Sequence, residues 1–266
     1  MDGDSAGPNG RWDENNLPDT AWARNISHDA DYYPGEHKSL AGIAVRAFCL
    51  GLALAGGVIF TLLILLWTGS PLWRLPFFLS ALALFHFLEF WTTAAYNTPA
   101  ADVGSFLLTA NWPAYPIAHS AASLECLVTH FLLPSWYRAP LGSGPLLTAV
   151  GLALVVVGQA VRTAAMVQAG TSFNHIVQHR RGRQHALITT GVYAALRHPS
   201  YFGFFWWALG TQLVLGNPLC LAAYAAVLWR FFSARVRREE ELLVRFFGDE
   251  YVVYRKGTRT LIPFLG

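Results

Sequence analysis

Residues 43–67 read IAVRAFCLGLALAGGVIFTLLILLW, an apolar run broken by a single charge, Arg46. A helix needs about 20 residues to cross the ~30 Å hydrocarbon layer of a bilayer, and this run meets that length. Its apolar residues are continuous rather than striped, so a soluble core does not account for them. Five more apolar segments follow, at 73–96, 113–134, 145–168, 201–215 and 219–234. The first three of these also reach spanning length. The last two are short, and Gly216-Asn217-Pro218 between them is a turn signal, so they read as a tight helical hairpin. Its second arm is expected to continue past Arg230 into water.

Composition agrees with a bilayer. Hydrophobic residues make up 54% of the 266 and charged residues 13%, against about a quarter in soluble domains. The expected fold is therefore an all-α integral membrane protein with about six transmembrane helices. Residues 1–40 carry a charge balance of −5 and no apolar periodicity, and read as a disordered acidic arm. Residues 41–169 hold the first four spans, and 170–266 hold a polar loop, the hairpin and a polar tail. Within 1–30 there is no apolar stretch of signal-peptide type, and no repeat of fixed period occurs.

Orientation follows from the basic residues. With the N-terminus inside, the inner loops and tails carry fourteen Lys and Arg, and the outer loops carry only Arg138. That asymmetry puts both termini in the cytosol. The basic residues gather beside spans, which is the pattern of orientation rather than of nucleic-acid binding. Cys49, Cys126 and Cys220 each lie inside an apolar run and read as packing residues. No metal-ligand spacing and no Ser/His/Asp constellation is found.

Several ionisable or polar groups lie inside spans: His86, Glu89, His119, Glu125, His130, Gln159 and Arg162. Such a group costs at least ~2.5 kcal/mol at a helix centre for Arg or Asp, so it marks function unless paired or snorkelling. Arg46, near the cytosolic edge, reads as snorkelling. His86 and Glu89 share a helical face and read as a structural hydrogen-bonded pair. Arg162 lies about six residues, or ~9 Å, inside its helix end. Gln159 is one turn away on the same side. Structural and functional readings of Arg162 are evenly balanced on this evidence alone.

The polar loop and the polar tail flank the hairpin and so lie together on the cytosolic face. At its mouth stands Arg197-His198-Pro199-Ser200-Tyr201-Phe202-Gly203. Proline favours the first turn of a helix, so His198-Pro199 is expected to open helix five and to leave N–H groups free from Ser200 onward. Such an end suits a carboxylate or a polar nucleotide edge. The bland alternative is an interfacial cap with Tyr201, Trp206 and Trp207 as an aromatic belt. Arg235 and Glu239 are four apart, a surface ion pair in the less favourable order. Arg180-Arg181-Gly182-Arg183 reads as an anionic-lipid contact.

Taken in order, a longer set of motifs carries more information. Gly170-Thr171-Ser172-Phe173-Asn174-His175, Gln178, His185, Gly191-Val192-Tyr193 and Arg197-His198-Pro199-Ser200-Tyr201 are followed by Gly216-Asn217-Pro218. Trp229-Arg230-Phe231-Phe232, Glu239-Glu240 and Phe247-Gly248-Asp249-Glu250-Tyr251 complete it. The set resembles the protein-S-isoprenylcysteine O-methyltransferase family, closely over about 160–264 and in span arrangement before that.

The resemblance implies S-adenosylmethionine as methyl donor, with S-adenosylhomocysteine as product. The prenylated C-terminal cysteine of processed CaaX proteins is the implied acceptor, in the endoplasmic reticulum membrane. It implies donor contacts from Gln178, from the backbone stretch His185-Ala186-Leu187-Ile188, and from Tyr193, His198, Pro199, Ser200, Tyr201 and Glu239. It implies substrate contact from Arg235 and a place beside the reacting carboxylate for Arg162. Val236-Arg237-Arg238 departs from the family's acidic run, which leaves Glu239 or Glu240 as the acidic contact. A sterol reductase-like oxidoreductase and a phospholipid N-methyltransferase are the rival enzymes. A channel or scaffold is the non-enzymatic rival. Pro199 after the Arg-His pair stands against the reductase.

Overall fold

The computed structural model describes residues 30–132, 144–176, 178 and 186–265. Six helices fall on the six apolar segments: α1 Leu40–Trp67, α2 Arg74–Tyr96, α3 Ala114–Leu132, α4 Pro145–Ala169, α5 Pro199–Leu215 and α6 Pro218–Phe247. A short α7, Asp249–Gly257, follows. Local chemistry sets their ends. Ser39 accepts the Gly42 amide at 3.0 Å and caps α1. Proline occupies the first turn of α4, α5 and α6, where a missing N–H costs nothing. Gly216, at φ 73°, ends α5 and makes the hairpin turn.

Four helical stretches among the described residues, Leu40–Trp67, Pro71–Tyr96, Pro145–Ser172 and Pro218–Phe247, are long and apolar enough to cross a membrane. The segment at 113–134 was expected to match them. Its helix α3 has 19 residues and is not among the four. The reason lies partly in Glu125, whose carboxylate accepts the amides of Leu219 at 2.8 Å and Cys220 at 2.7 Å. It therefore caps the N-terminus of α6 and satisfies donors that proline leaves exposed. This carboxylate, read from the sequence as lying in a span, serves as a helix cap.

α1 is apolar on all sides and mostly exposed, as a lipid-facing helix should be. Cys49 shares that exposure, whereas Cys126 and Cys220 are buried packing residues as expected. Arg46 returns to its own helix and donates to the Gly42 carbonyl at 3.0 Å. Residues 30–39, the end of the supposed disordered arm, are built into the fold: Lys38 N–H donates to Asp31 and the Val103 amide to His37. Residues 1–29 lie outside the described part.

The α4–α5 contact positions the site. Gly151 and Gly158 face Gly210 and Gly203, so backbones meet without side chains between them. A Cβ added at Gly158 would lie 2.6 Å from the Gly203 carbonyl oxygen. The close approach of α4 to α5 thus runs through glycines. Ala160 and Ala164 instead line a separate apolar groove beside α2. α6 continues past Arg230 to Phe247, as the sequence implied. The polar loop and tail meet: the Arg197 amide donates to the Arg259 carbonyl and the Arg259 amide to Ala195.

Candidate active site

Two cavities meet at the opening turn of α5. The first, about 690 Å³ of empty space, is lined by Ala186, Leu187, Ile188, Tyr193, the His198–Tyr201 turn and Glu239. The second, about 1460 Å³, is lined by Arg162, Tyr115, Phe204, Phe231, Phe232 and Arg235, among others. Phe173, Asn174, Ser200 and Tyr201 belong to both walls. Those four residues mark where a group held in one cavity would face a group held in the other.

Arg162 is buried, and its guanidinium fork is occupied on one edge by Glu89. Nε donates to Oε1 and Nη2 donates to Oε2 at 2.7 Å. The other edge, Nη1, donates to the Ser200 hydroxyl at 3.0 Å and the Ser200 carbonyl at 3.2 Å. Phe85 and Phe204 flank the guanidinium carbon at 5.2 and 5.4 Å from their ring centroids. Sequence reading paired Glu89 with His86. In the fold, His86 Nδ1 meets the Phe106 carbonyl at 2.7 Å, and Glu89 belongs to Arg162. Partners far apart in sequence decided this, since the i,i+3 face is wide enough for both. Gln159 also differs from expectation: it donates to Thr163 at 3.2 Å and faces the α2–α4 groove.

His175 closes the second cavity from the loop side. Its Nδ1 lies 3.7 Å from Glu89 Oε2. Burial, opposed by Glu89 and assisted by Arg162 and Arg235, brings its pKa down to about 4. The ring is therefore neutral near pH 7 and adds no charge.

Tyr201 joins the cavities chemically. Its hydroxyl donates to Glu239 and accepts from Arg235 Nε at 2.7 Å. Arg235 also donates to the His175 carbonyl and lies over the Tyr201 ring at 5.3 Å. The ion pair expected between Arg235 and Glu239 is thus replaced by a shared hydroxyl. Nor is Tyr201 an interfacial belt residue, since it forms part of both walls. The amides of Tyr201 and Phe202 already bond the His198 carbonyl, so the opening turn is less open than proline alone suggested.

The two acidic candidates separate cleanly. Glu239 lines the first cavity. Glu240 turns away to Arg197 Nε at 2.6 Å, His198 Nε2 at 3.3 Å and Arg255 at 3.6 Å. Gln178 lines neither described cavity; it is exposed and donates to the Ile176 carbonyl at 2.9 Å. His185 and the Arg180-Arg181-Gly182-Arg183 cluster lie outside the described residues.

Sequence reasoning missed the aromatic floor. Tyr251 and Tyr254 line the first cavity, and burial raises the pKa of both, Tyr254 to about 12. The Tyr251 hydroxyl is buried with no hydrogen-bond partner among the described residues. An orphaned donor and acceptor in an aromatic pocket with one carboxylate, Glu239, fits a polar aromatic ligand with hydroxyl or amine groups. Phe247-Gly248-Asp249-Glu250-Tyr251 was the one signal of this wall in the sequence.

Comparison with known proteins identifies relatives of the chain. Residues 150–245 match the isoprenylcysteine carboxyl methyltransferase family. The chain is 50% identical over 190 residues to protein-S-isoprenylcysteine O-methyltransferase of Saccharomyces cerevisiae, covering 71% of this chain and 79% of that one. It is 39% identical over 223 residues to the Homo sapiens enzyme of the same name, covering 84% and 75%. A solved eukaryotic intramembrane Ras methyltransferase superposes with a TM-score of 0.77 at 35% identity, over 92% of this chain and 84% of that one.

Proposed function

The chain belongs to the isoprenylcysteine carboxyl methyltransferase family, and from that premise we propose how its cavities divide the reaction. It is a membrane-embedded enzyme that methylates the C-terminal carboxylate of S-prenylcysteine proteins. The donor is S-adenosylmethionine, held in the first cavity, and the prenylcysteine end occupies the second. The observation that carries this reading is the shared wall at Ser200 and Tyr201. Neither a phospholipid N-methyltransferase nor a sterol reductase is favoured by the relatives.

The chemistry needs little from the protein beyond placement. A C-terminal carboxylate has a pKa of about 3.3–3.7 and is ionised near pH 7, so no general base is required. When bound, S-adenosylmethionine would supply its sulfonium methyl to a carboxylate oxygen, the S–C bond breaking as S-adenosylhomocysteine leaves. Catalysis then comes mainly from alignment. Arg162, whose Nη1 edge points at Ser200, orients the carboxylate at the boundary. The faces of Tyr193 and Tyr201 steady the cation. Ala186, Leu187, Ile188, His198, Pro199 and Glu239 shape the donor cavity, and Arg235 reaches the acceptor. Gln178 and His185 are proposed as further donor contacts. The enzyme is further proposed to reside in the endoplasmic reticulum, with about six spans and both termini and the active site cytosolic.

Purified full-length protein, labelled donor and N-acetyl-S-farnesylcysteine test the reading. Base-labile methyl ester is expected, with no methyl transfer to phosphatidylethanolamine. Transfer to the amine lipid alone would replace this function with the rival one.

A further inference from the structure

Beyond α7 the chain returns to the hairpin. Arg259 pairs with the Ala195–Arg197 strand-like stretch, and residues 260–265 then lie against α5 and α6. Ile262 and Leu265 pack on Phe205, Leu209 and Phe232. The indoles of Trp206 and Trp229 donate to the carbonyls of Leu261 at 3.2 Å and Pro263 at 2.9 Å. Both tryptophans lie within the apolar parts of α5 and α6, so the strap reaches below the level where α6 turns polar at Arg235. Two non-glycine residues there, Leu261 at φ 51° and Phe264 at φ 60°, hold the left-handed conformation. This is unfavourable for bulky side chains, and the two indole bonds hold it in place. Leu261 and Phe264 end outward, Phe264 being 96% exposed.

A shallow, open hollow lies between this strap and the polar residues of the preceding turn. Its upper wall holds Arg255, Lys256 and Arg259, all exposed, and its lower wall holds Leu261, Ile262 and Phe264. Glu240 is the one acidic lining residue, and Arg197 already neutralises it at 2.6 Å. Basic above and apolar below is the complement of a single amphiphile with an anionic head. We propose that this hollow binds an anionic glycerophospholipid, its phosphate on Lys256 and Arg259 and its acyl chains along Leu261 and Phe264. A water-soluble anion would meet the basic wall alone and leave Phe264 uncovered. The site is separate from the two reaction cavities, and Arg197 is the residue it shares with the donor cavity.

Native mass spectrometry of the full chain, loaded with equal phosphatidylserine and phosphatidylcholine, tests this. Each basic residue near an anionic headgroup contributes roughly fivefold, so retained phosphatidylserine should exceed phosphatidylcholine by well over fivefold. Lys256→Gln with Arg259→Gln should bring the ratio close to one, and Lys256→Arg with Arg259→Lys should keep the preference. Phe264→Ser should reduce retention of phosphatidylserine without altering methylation of N-acetyl-S-farnesylcysteine in detergent. Displacement of the lipid by inorganic phosphate would reduce the hollow to a plain anion site and overturn the proposal. Equal retention of both lipids by the unsubstituted protein would also overturn it.

Discussion

Arg162 and Glu89 meet through two parallel bonds, and that geometry decides what each can do. Glu89 satisfies one edge of the guanidinium and leaves Nη1 aimed at Ser200, between the cavities. Lysine would keep the charge but lose the planar fork. Arg162→Lys is therefore expected to lower kcat by at least ~10-fold with donor affinity nearly intact, measured by steady-state kinetics and calorimetry. Removing the partner is harsher. Glu89→Ala leaves a buried cation uncompensated, a loss of about 3–5 kcal/mol read as a fall in thermal midpoint. At the donor cavity, Glu239→Gln should weaken calorimetric donor binding. Glu240→Gln should act less on affinity and more on stability, because it loosens Arg197, His198 and Arg255 together. The reverse ranking would assign the donor contact to Glu240.

At the scale of elements, the α4–α5 pair is the frame of the site. Arg162 is on α4, Ser200 and Tyr201 are on α5, and Gly203 lies against the Arg162 backbone. A Cβ at Gly203 would fall 2.7 Å from the Arg162 amide nitrogen and 2.8 Å from its Cβ. Neither neighbour is the tip of a flexible side chain, so the helices themselves must separate. Gly203→Ala should thus destabilise by about 1–3 kcal/mol, the usual range for overpacking. It should also lower kcat more than it raises the donor Kd, since it moves Arg162 relative to Ser200. A stability loss without a kcat effect would separate the frame from the chemistry. α5 has 17 residues and is ringed by α2, α4 and α6, which explains its many buried positions despite its short length.

For the whole molecule, the placement of the second cavity bears on how an acceptor is chosen. It is walled by Phe204, Phe231 and Phe232 from the hairpin and by residues of α2 and α4, with no separate domain beside it among the described residues. A prenyl chain already resides in lipid, so its transfer into protein gains little from hydrophobicity itself. Shape fit and enrichment in the membrane must supply the selectivity. N-acetyl-S-farnesylcysteine should be methylated efficiently without any upstream peptide, and N-acetyl-S-methylcysteine should not. The comparison belongs in detergent and in liposomes, with concentrations corrected for partitioning. Equal kcat/KM after that correction would leave membrane enrichment as the whole effect.

The sequence alone determined the helices and the family. Helix positions, hairpin turn and the Pro199 start are local features, set by apolar run length, by Gly216 and by the fixed φ of proline, so they can be read without knowing the neighbours. The ordered motifs from Gly170 to Tyr251 likewise belong to one stretch of chain. Pairings between distant residues were decided only by tertiary structure. Glu89 could have served His86 or Arg162, Glu125 could have been functional, and Glu239 and Glu240 were indistinguishable by position. One residue along a helix turns a side chain by about 100°, which sends Glu239 into the first cavity and Glu240 to Arg197. Which of those directions faces a cavity depends on where the loop and tail come together, and helical periodicity carries no record of that.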